Sequence, residues 1–299
     1  MPRLRIFRRF PAYTFYTIIG GCLMNTRSNE MLDTVSRVLR YACAALALLC
    51  IVFAIIAAIS TGCSGGCAGS DSTESGSQSD TSALSPSPVP DSVTLPETAD
   101  AGQAYQDKLT FLGDSLTAHL VSRGVLTDGQ NTKQVWRTKD NMLNLDSPIT
   151  SAKINLPGTD RYVTIAEAAA ELKPEILVIT LGTDYGVSYL VETDFKAYYT
   201  KLVRAIQEAS PNTVILLQSI FPVTAGCKVL SNEKIDRANG WVKAVAAENN
   251  CRYLDTQSVL KDGNNCLRDS LCNNEDGIHL NTEAYRLILS YIRTHAYTA

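Results

Sequence analysis

Two short stretches hold the residues that can do chemistry together. TFLGDSLTAHL, Thr110 to Leu120, sets Asp114 and Ser115 where a strand-like apolar run stops at Gly113 and a helix-like run begins. A serine at such a junction can act as a nucleophile when a base lies within hydrogen-bond reach. It can also merely cap the helix, as can Asp114. NNEDGIHLNTEAY, Asn273 to Tyr285, carries Asp276 three residues before His279. A loop with that spacing can fold back so that the carboxylate orients the imidazole, which is the base-and-orienter half of a Ser-His-Asp hydrolase. The chain has three histidines, His119, His279 and His295, so the choice of base is narrow. His119, one helical turn beyond Ser115, is expected to pack at the rim of the site. His295, in the last turn of the chain's final helix, is expected to be solvated. Trp136 and Trp241 are expected in the core or in a groove wall.

These residues need a scaffold that brings positions 115 and 279 together. Apolar runs at 108–113, 133–137, 175–182, 213–221 and 251–255 read as strands. Helical patterns lie between them at 115–123, 164–173, 194–209, 232–250 and 281–296. In 194–209 one apolar stripe is formed by Phe195, Tyr198, Tyr199, Leu202, Val203 and Ile206. ILVIT and VILLQ are almost continuously apolar, as parallel strands covered on both faces must be. Strand and helix in alternation predict an α/β fold, a three-layer α/β/α sandwich with a mostly parallel, flavodoxin-like sheet. In such sheets sites gather at the carboxyl ends of the strands. Ser115 follows the first strand and His279 precedes the last helix, so both are expected at one edge.

The rest of the chain concerns location. Residues 1–40 carry seven arginines against Glu30 and Asp33, and Tyr41 to Ser60 is a run of 20 residues without a charge. At about 1.5 Å rise per residue such a run spans about 30 Å, the thickness of a bilayer core. The positive flank puts 1–40, a basic cytoplasmic segment, inside, and everything beyond residue 60 outside. An uncleaved anchor over 41–60 is favoured; a lipoprotein signal lipidated at Cys63 is the alternative, and both tether the chain. Residues 61–104 are rich in Ser, Gly, Thr and Pro and read as a disordered linker. A folded domain is expected over 105–299. Its four cysteines, Cys227, Cys251, Cys266 and Cys272, fit an oxidising compartment; four cysteines allow three pairings, of which Cys266–Cys272 with Cys227–Cys251 is locally attractive. A formal net charge of −3 argues against nucleic acid as a partner.

FLGDSLTAHL together with DGIHLN resembles the SGNH/GDSL hydrolase family over about 108–296. The resemblance implies an esterase without metal or organic cofactor, with Ser115 as nucleophile, His279 as base and Asp276 as its orienting acid. It also implies an oxyanion hole built from the serine N–H, a glycine after the second strand, and an asparagine in a G-x-N-D block after the third. Here that block reads ITLGTDYGVSYL: Gly182 and Thr183 match, and Asp184 stands in place of the asparagine. The second block, residues 133–145, has no glycine. An ionised Asp184 only accepts hydrogen bonds and would repel an oxyanion. It would have to stay protonated, or the N–H of Tyr185 or Gly186 would have to replace it. Two functions follow: an extracytoplasmic esterase acting on O-acetyl groups of a cell-surface glycan, or an SGNH-like module that binds such a glycan or a partner protein.

Overall fold

The computed structural model describes residues 91–298, apart from Ser147, Asp184, Asn274 and Glu275. The segments 1–40 and 41–60 and most of the 61–104 linker lie outside the described residues. Among the described residues no helix is long and apolar enough to cross a membrane.

The strand-helix alternation read from the sequence folds as one parallel sheet. Its strands are β1 (Leu109–Gly113), β2 (Val135–Trp136), β5 (Ile176–Thr180), β6 (Val214–Gln218) and β7 (Arg252–Leu254), in the order β2-β1-β5-β6-β7. Every neighbouring pair in this sheet is parallel. Counting only these strands, the order is 2-1-3-4-5, the flavodoxin-like order, whose topological switch point lies between β1 and β5. Both of those strands lead directly into the motif loops at Ser115 and Gly182.

Helices cover both faces. The helices α3 (Ile165–Leu172), α5 (Glu192–Ala209) and α6 (Asn232–Glu248) pack one face with Leu112, Leu177, Ile179 and Leu217. The helices α2 (Ser115–Arg123) and α7 (Thr282–Thr294) pack the other with Leu109, Phe111, Val178 and Leu216. Alternate residues of one strand thus enter two different cores, which is why β5 is buried at all five positions. The stripe on α5 is buried at Phe195, Tyr199, Leu202, Val203 and Ile206. Capping is local and legible: Thr164 and Glu167 form a reciprocal box that starts α3, and the Asn281 side chain accepts from Ala284 N to start α7.

Several expectations change. The linker expected over 61–104 gives way to packed chain near residue 93: Val93 and Leu95 are buried, and Leu95 N donates to Tyr253 O at 2.9 Å. Val93 and Leu95 are apolar and sit beside the β7 edge, so burying them offsets the entropy of ordering a short polar tract. The described domain therefore begins before 105, and α1 (Gly102–Gln106) belongs to it. A small antiparallel pair, β3 (Lys153–Asn155) with β4 (Tyr162–Thr164), lies in a stretch that shows no strong period. His295 is half-buried rather than solvated, stacked on Tyr291 with ring centroids 3.7 Å apart. Trp136 is in the core, and Trp241 packs against Phe195 at 5.4 Å.

No disulfide joins Cys227 to Cys251. Cys227, Cys251 and Cys266 are free thiols. The parallel sheet keeps these two apart: Cys251 enters β7 at the amino-terminal edge, whereas Cys227 follows β6 at the opposite edge. Cys251 lies in the core, and burial pushes its thiol up to about 12.

Candidate active site

Ser115 is the first residue of α2, directly after β1, and is half-buried. Its placement depends on a crowded junction. A Cβ on Gly113 would come within 2.1 Å of Thr117 Oγ1 and 2.2 Å of Thr180 O, so only glycine lets β1, β5 and α2 approach this closely. Asp114 is the helix cap, as its position predicts, and it is fully buried. One carboxylate oxygen accepts from Leu116 N at 3.2 Å, and the other from Thr183 N at 3.2 Å. Asp114 thereby ties the loop after β1 to the loop after β5 across the switch point. Beneath them, the Thr180 hydroxyl donates to Gln218 Oε1 at 2.7 Å and the Gln218 amide donates to Thr256 Oγ1 at 2.9 Å. That buried polar chain holds the carboxyl ends of β5 and β6 in register with the turn after β7.

The candidate acid and base are in contact. His279 Nδ1 and Asp276 Oδ2 lie 2.6 Å apart. The other oxygen, Asp276 Oδ1, accepts from Ile278 N at 2.8 Å and from His279 N at 3.1 Å. Burial would raise the Asp276 carboxyl, but these donors together hold it below its ordinary value of 3.8. An ionised Asp276 only accepts, so Nδ1 carries the proton of the shared bond and Nε2 is left able to take another. The loop is anchored at both ends. Asn273 N donates to His279 O at 2.7 Å, and Thr224 N donates to Gly277 O at 2.9 Å. Gly277 has φ +75°, and a Cβ there would lie 2.4 Å from Thr224 Oγ1. The glycine of DGIH is therefore a requirement of the turn that brings Asp276 back onto His279.

His279 is also placed toward α2. Its ring lies 5.0 Å, centroid to centroid, from that of His119, inclined by 40°. Residues four apart share one helix face, so Ser115 and His119 lie on the same side of α2. The Tyr285 hydroxyl of α7 donates to Leu116 O at 2.7 Å and ties the two helices together beside Ser115. The sequence places His119 at a rim; the structure places it against the base. Its buried Nδ1 has no hydrogen-bond partner among the described residues. Burial, then the neighbouring His279 and Arg123, depress its pKa, and Asp276 partly opposes them. The three-residue spacing of Asp276 and His279 was visible in sequence; the His119–His279 contact joins positions 160 apart and left no local signal.

The side that must stabilise negative charge is less regular. Gly182 leaves β5 buried, and its carbonyl accepts from Val187 N at 2.8 Å. The Thr183 N–H is committed to Asp114 and is not aimed at a substrate oxygen. Asp184 lies outside the described residues. After β2, residues 138–142 form a self-closed turn in which Asp140 accepts from the Thr138 hydroxyl at 2.7 Å and from Met142 N at 3.1 Å. Although 133–145 has no glycine, Asn141 adopts φ +61°, which asparagine tolerates better than most residues. Separately, a cavity of about 570 Å³ lined by Gln207, Asn212, Thr213 and Arg252 lies at the amino-terminal edge of the sheet, away from these residues.

Over residues 111–287 the chain matches the GDSL-like lipase/acylhydrolase family, and it belongs to that family. No curated protein sequence matches it. Among solved structures it is similar to a GDSL-like lipase from Bacteroides thetaiotaomicron, with 16% identity, 65% of this chain and 89% of that one covered, and a TM-score of 0.43. It is also similar to a carbohydrate esterase family 3 protein from Talaromyces cellulolyticus, with 18% identity, 62% and 93% covered, and a TM-score of 0.40. A mutant of an acetyl-xylooligosaccharide esterase from Geobacillus shows 16% identity, 69% and 98% coverage, and a TM-score of 0.39.

Proposed function

We propose that this acylhydrolase-family chain is a serine esterase tethered outside the cell membrane, and that it removes O-acetyl groups from a cell-surface glycan. The observation that carries the esterase reading is the 2.6 Å contact between Asp276 and His279 beside the helix that begins at Ser115. Ser115 Oγ attacks the acyl carbonyl while His279 Nε2 takes its proton. The tetrahedral intermediate collapses, His279 returns the proton to the leaving alcohol, and the acyl group stays on Ser115. Water, deprotonated by His279, then attacks the acyl-enzyme; the Ser115–acyl bond breaks, His279 returns the proton to Ser115 Oγ, and acetate leaves. Asp276 stays ionised, keeps Nδ1 protonated and stabilises the imidazolium that forms in each half-reaction.

The tether reading rests on the sequence: the uncharged run 41–60, the arginine-rich segment before it and the Ser/Pro-rich tract after it. In this reading 1–40 is cytoplasmic, 41–60 spans the bilayer or Cys63 is lipidated, and the tract up to about residue 92 is a stalk. The acetyl-glycan assignment follows from that location.

A second reading is a glycan- or protein-binding module of the same fold. Asp184 in place of the asparagine and the missing glycine of 133–145 favour it, because both weaken the oxyanion hole. The deciding experiment is p-nitrophenyl acetate turnover by the full chain, wild type against Ser115→Ala. Turnover that vanishes in the variant is the expected result. Equal background rates in both would leave the binding module as the better reading.

A further inference from the structure

Among the described residues seven large apolar side chains are exposed: Tyr162 and Leu172 lie on β4 and at the end of α3, and the other five, Met142, Tyr185, Tyr189, Val191 and Val229, lie in loops that follow the carboxyl ends of β2, β5 or β6. The loops after β2 and β5 are the ones on either side of the strand that leads to Ser115. Tyr189 is the most exposed of them, at 73%. It sits on a short helix, α4 (Gly186–Tyr189), and stacks on Tyr185 with ring centroids 5.2 Å apart and planes inclined by 27°.

This pair is held rigidly from below. Gly186 and Val187 are buried. A Cβ on Gly186 would lie 2.9 Å from the Phe195 ring and 3.5 Å from Leu145 Cδ2, so the helix sits directly on the core with no room to sink. Val187 N is bonded to Gly182 O, which fixes the shelf to the same loop whose Thr183 N–H is bonded to Asp114, the neighbour of Ser115. A fixed, outward-facing aromatic pair adds little to folding, since its rings stay largely in water. An exposed aromatic patch continuous with a site marks a place where something binds.

We infer that Tyr185 and Tyr189 form a stacking subsite for a pyranose ring of a glycan chain, next to the position of the ester being cleaved. The shape of the surface selects the occupant. An acyl chain binds where apolar walls enclose most of its surface, and a side chain as exposed as Tyr189 encloses nothing. A pyranose ring has one flat C–H face and a rim of hydroxyls. It needs an aromatic face on one side and water or polar groups on the other. The turn after β2, the strand on the other side of β1, carries polar groups at Asp140 and Asn141, both exposed. This inference deepens the acetyl-glycan reading of the same site and rests on it for the nature of the substrate.

The test is isothermal titration of the full chain with two unacylated probes, chitohexaose and xylohexaose. The expected result is binding of at least one probe by wild type, weakened about tenfold or more in Tyr189→Ala and retained in Tyr189→Phe. Ser115→Ala should bind as wild type does, because the subsite does not use the nucleophile. Failure of both probes to bind, or equal binding by Tyr189→Ala, overturns the inference. So does loss of self-association in Tyr189→Ala with binding of the probes intact, which would assign the shelf to a second copy of the chain. Ser115-dependent p-nitrophenyl acetate turnover without binding of either probe would sink the subsite and leave the esterase standing. Tyr189-dependent binding with Ser115-independent turnover would do the reverse.

Discussion

The two halves of the candidate site are built to different standards. On the acid-base side, both oxygens of Asp276 are engaged, Gly277 is held by Thr224, and the His279 ring lies between Asp276 and His119. On the side where a carbonyl oxygen would gain charge, the turn after β2 closes on itself through Asp140, residues 133–145 offer no glycine, and Asp184 stands where the resemblance implies asparagine. Proton transfer needs one short contact in the right tautomer, and a single tight loop can supply that. Oxyanion stabilisation needs donors converging from three separate chain segments, so it is more easily altered one substitution at a time. The difference teaches that the residues proposed to move a proton are held in a tight loop, while the residues proposed to hold negative charge depart from the pattern the resemblance implies.

The largest effect should come from removing the base. His279→Ala should lower kcat/KM for p-nitrophenyl acetate by about 10⁴-fold or more. A loss of only a few-fold would show that the well-built half does no chemistry, and the comparison would fail. Asp276→Asn should lower kcat by about 10³–10⁴-fold, because the amide no longer selects the Nδ1–H tautomer. If that variant kept near-wild-type kcat, the 2.6 Å contact would be structural alone.

The weaker half is tested in the opposite direction. On the proposed role of Asp184, Asp184→Asn should raise kcat by about 10²-fold, since it replaces an acceptor by a donor. An unchanged rate and pH profile would mean that this side chain does not face the oxyanion, and the contrast between the halves would shrink to the missing glycine.

A smaller effect concerns stability. The folded pKa of His119 lies below its ordinary 6.5. As pH falls through about 6.5 the unfolded chain takes up a proton that folded His119 does not, so the wild type loses stability on the acid side. His119→Phe keeps a ring against His279 and cannot titrate. Its urea midpoint should therefore fall less than that of the wild type between about pH 7 and about pH 5. Equal losses would show that the rings are less shielded than their 5.0 Å packing implies.

Much of this was legible from the chain. The two central strands ILVIT and VILLQ announced themselves by almost unbroken apolar runs, and the long helices by apolar stripes. Helix α2 was read with its observed ends, and Asp114 was read as its possible cap. Burial on both faces leaves little freedom in such runs, so pattern alone suffices. The pair β3–β4 was missed because three-residue strands carry no readable period. The attachment of residues 93–101 was missed because it rests on contacts with Tyr253, Arg293 and Thr294, far along the chain.

For the site, the sequence by itself determined which groups can react and how Asp276 is spaced from His279, because those facts live in residue types and short loops. The tertiary structure alone decided that Asp114 bonds to Thr183, that His119 packs on His279, that Cys227 and Cys251 stand at opposite ends of the sheet, and that exposed aromatic rings gather beside Ser115. Each of these joins segments brought together only by strand order, and no local pattern of residues encodes where a parallel sheet will place its neighbours.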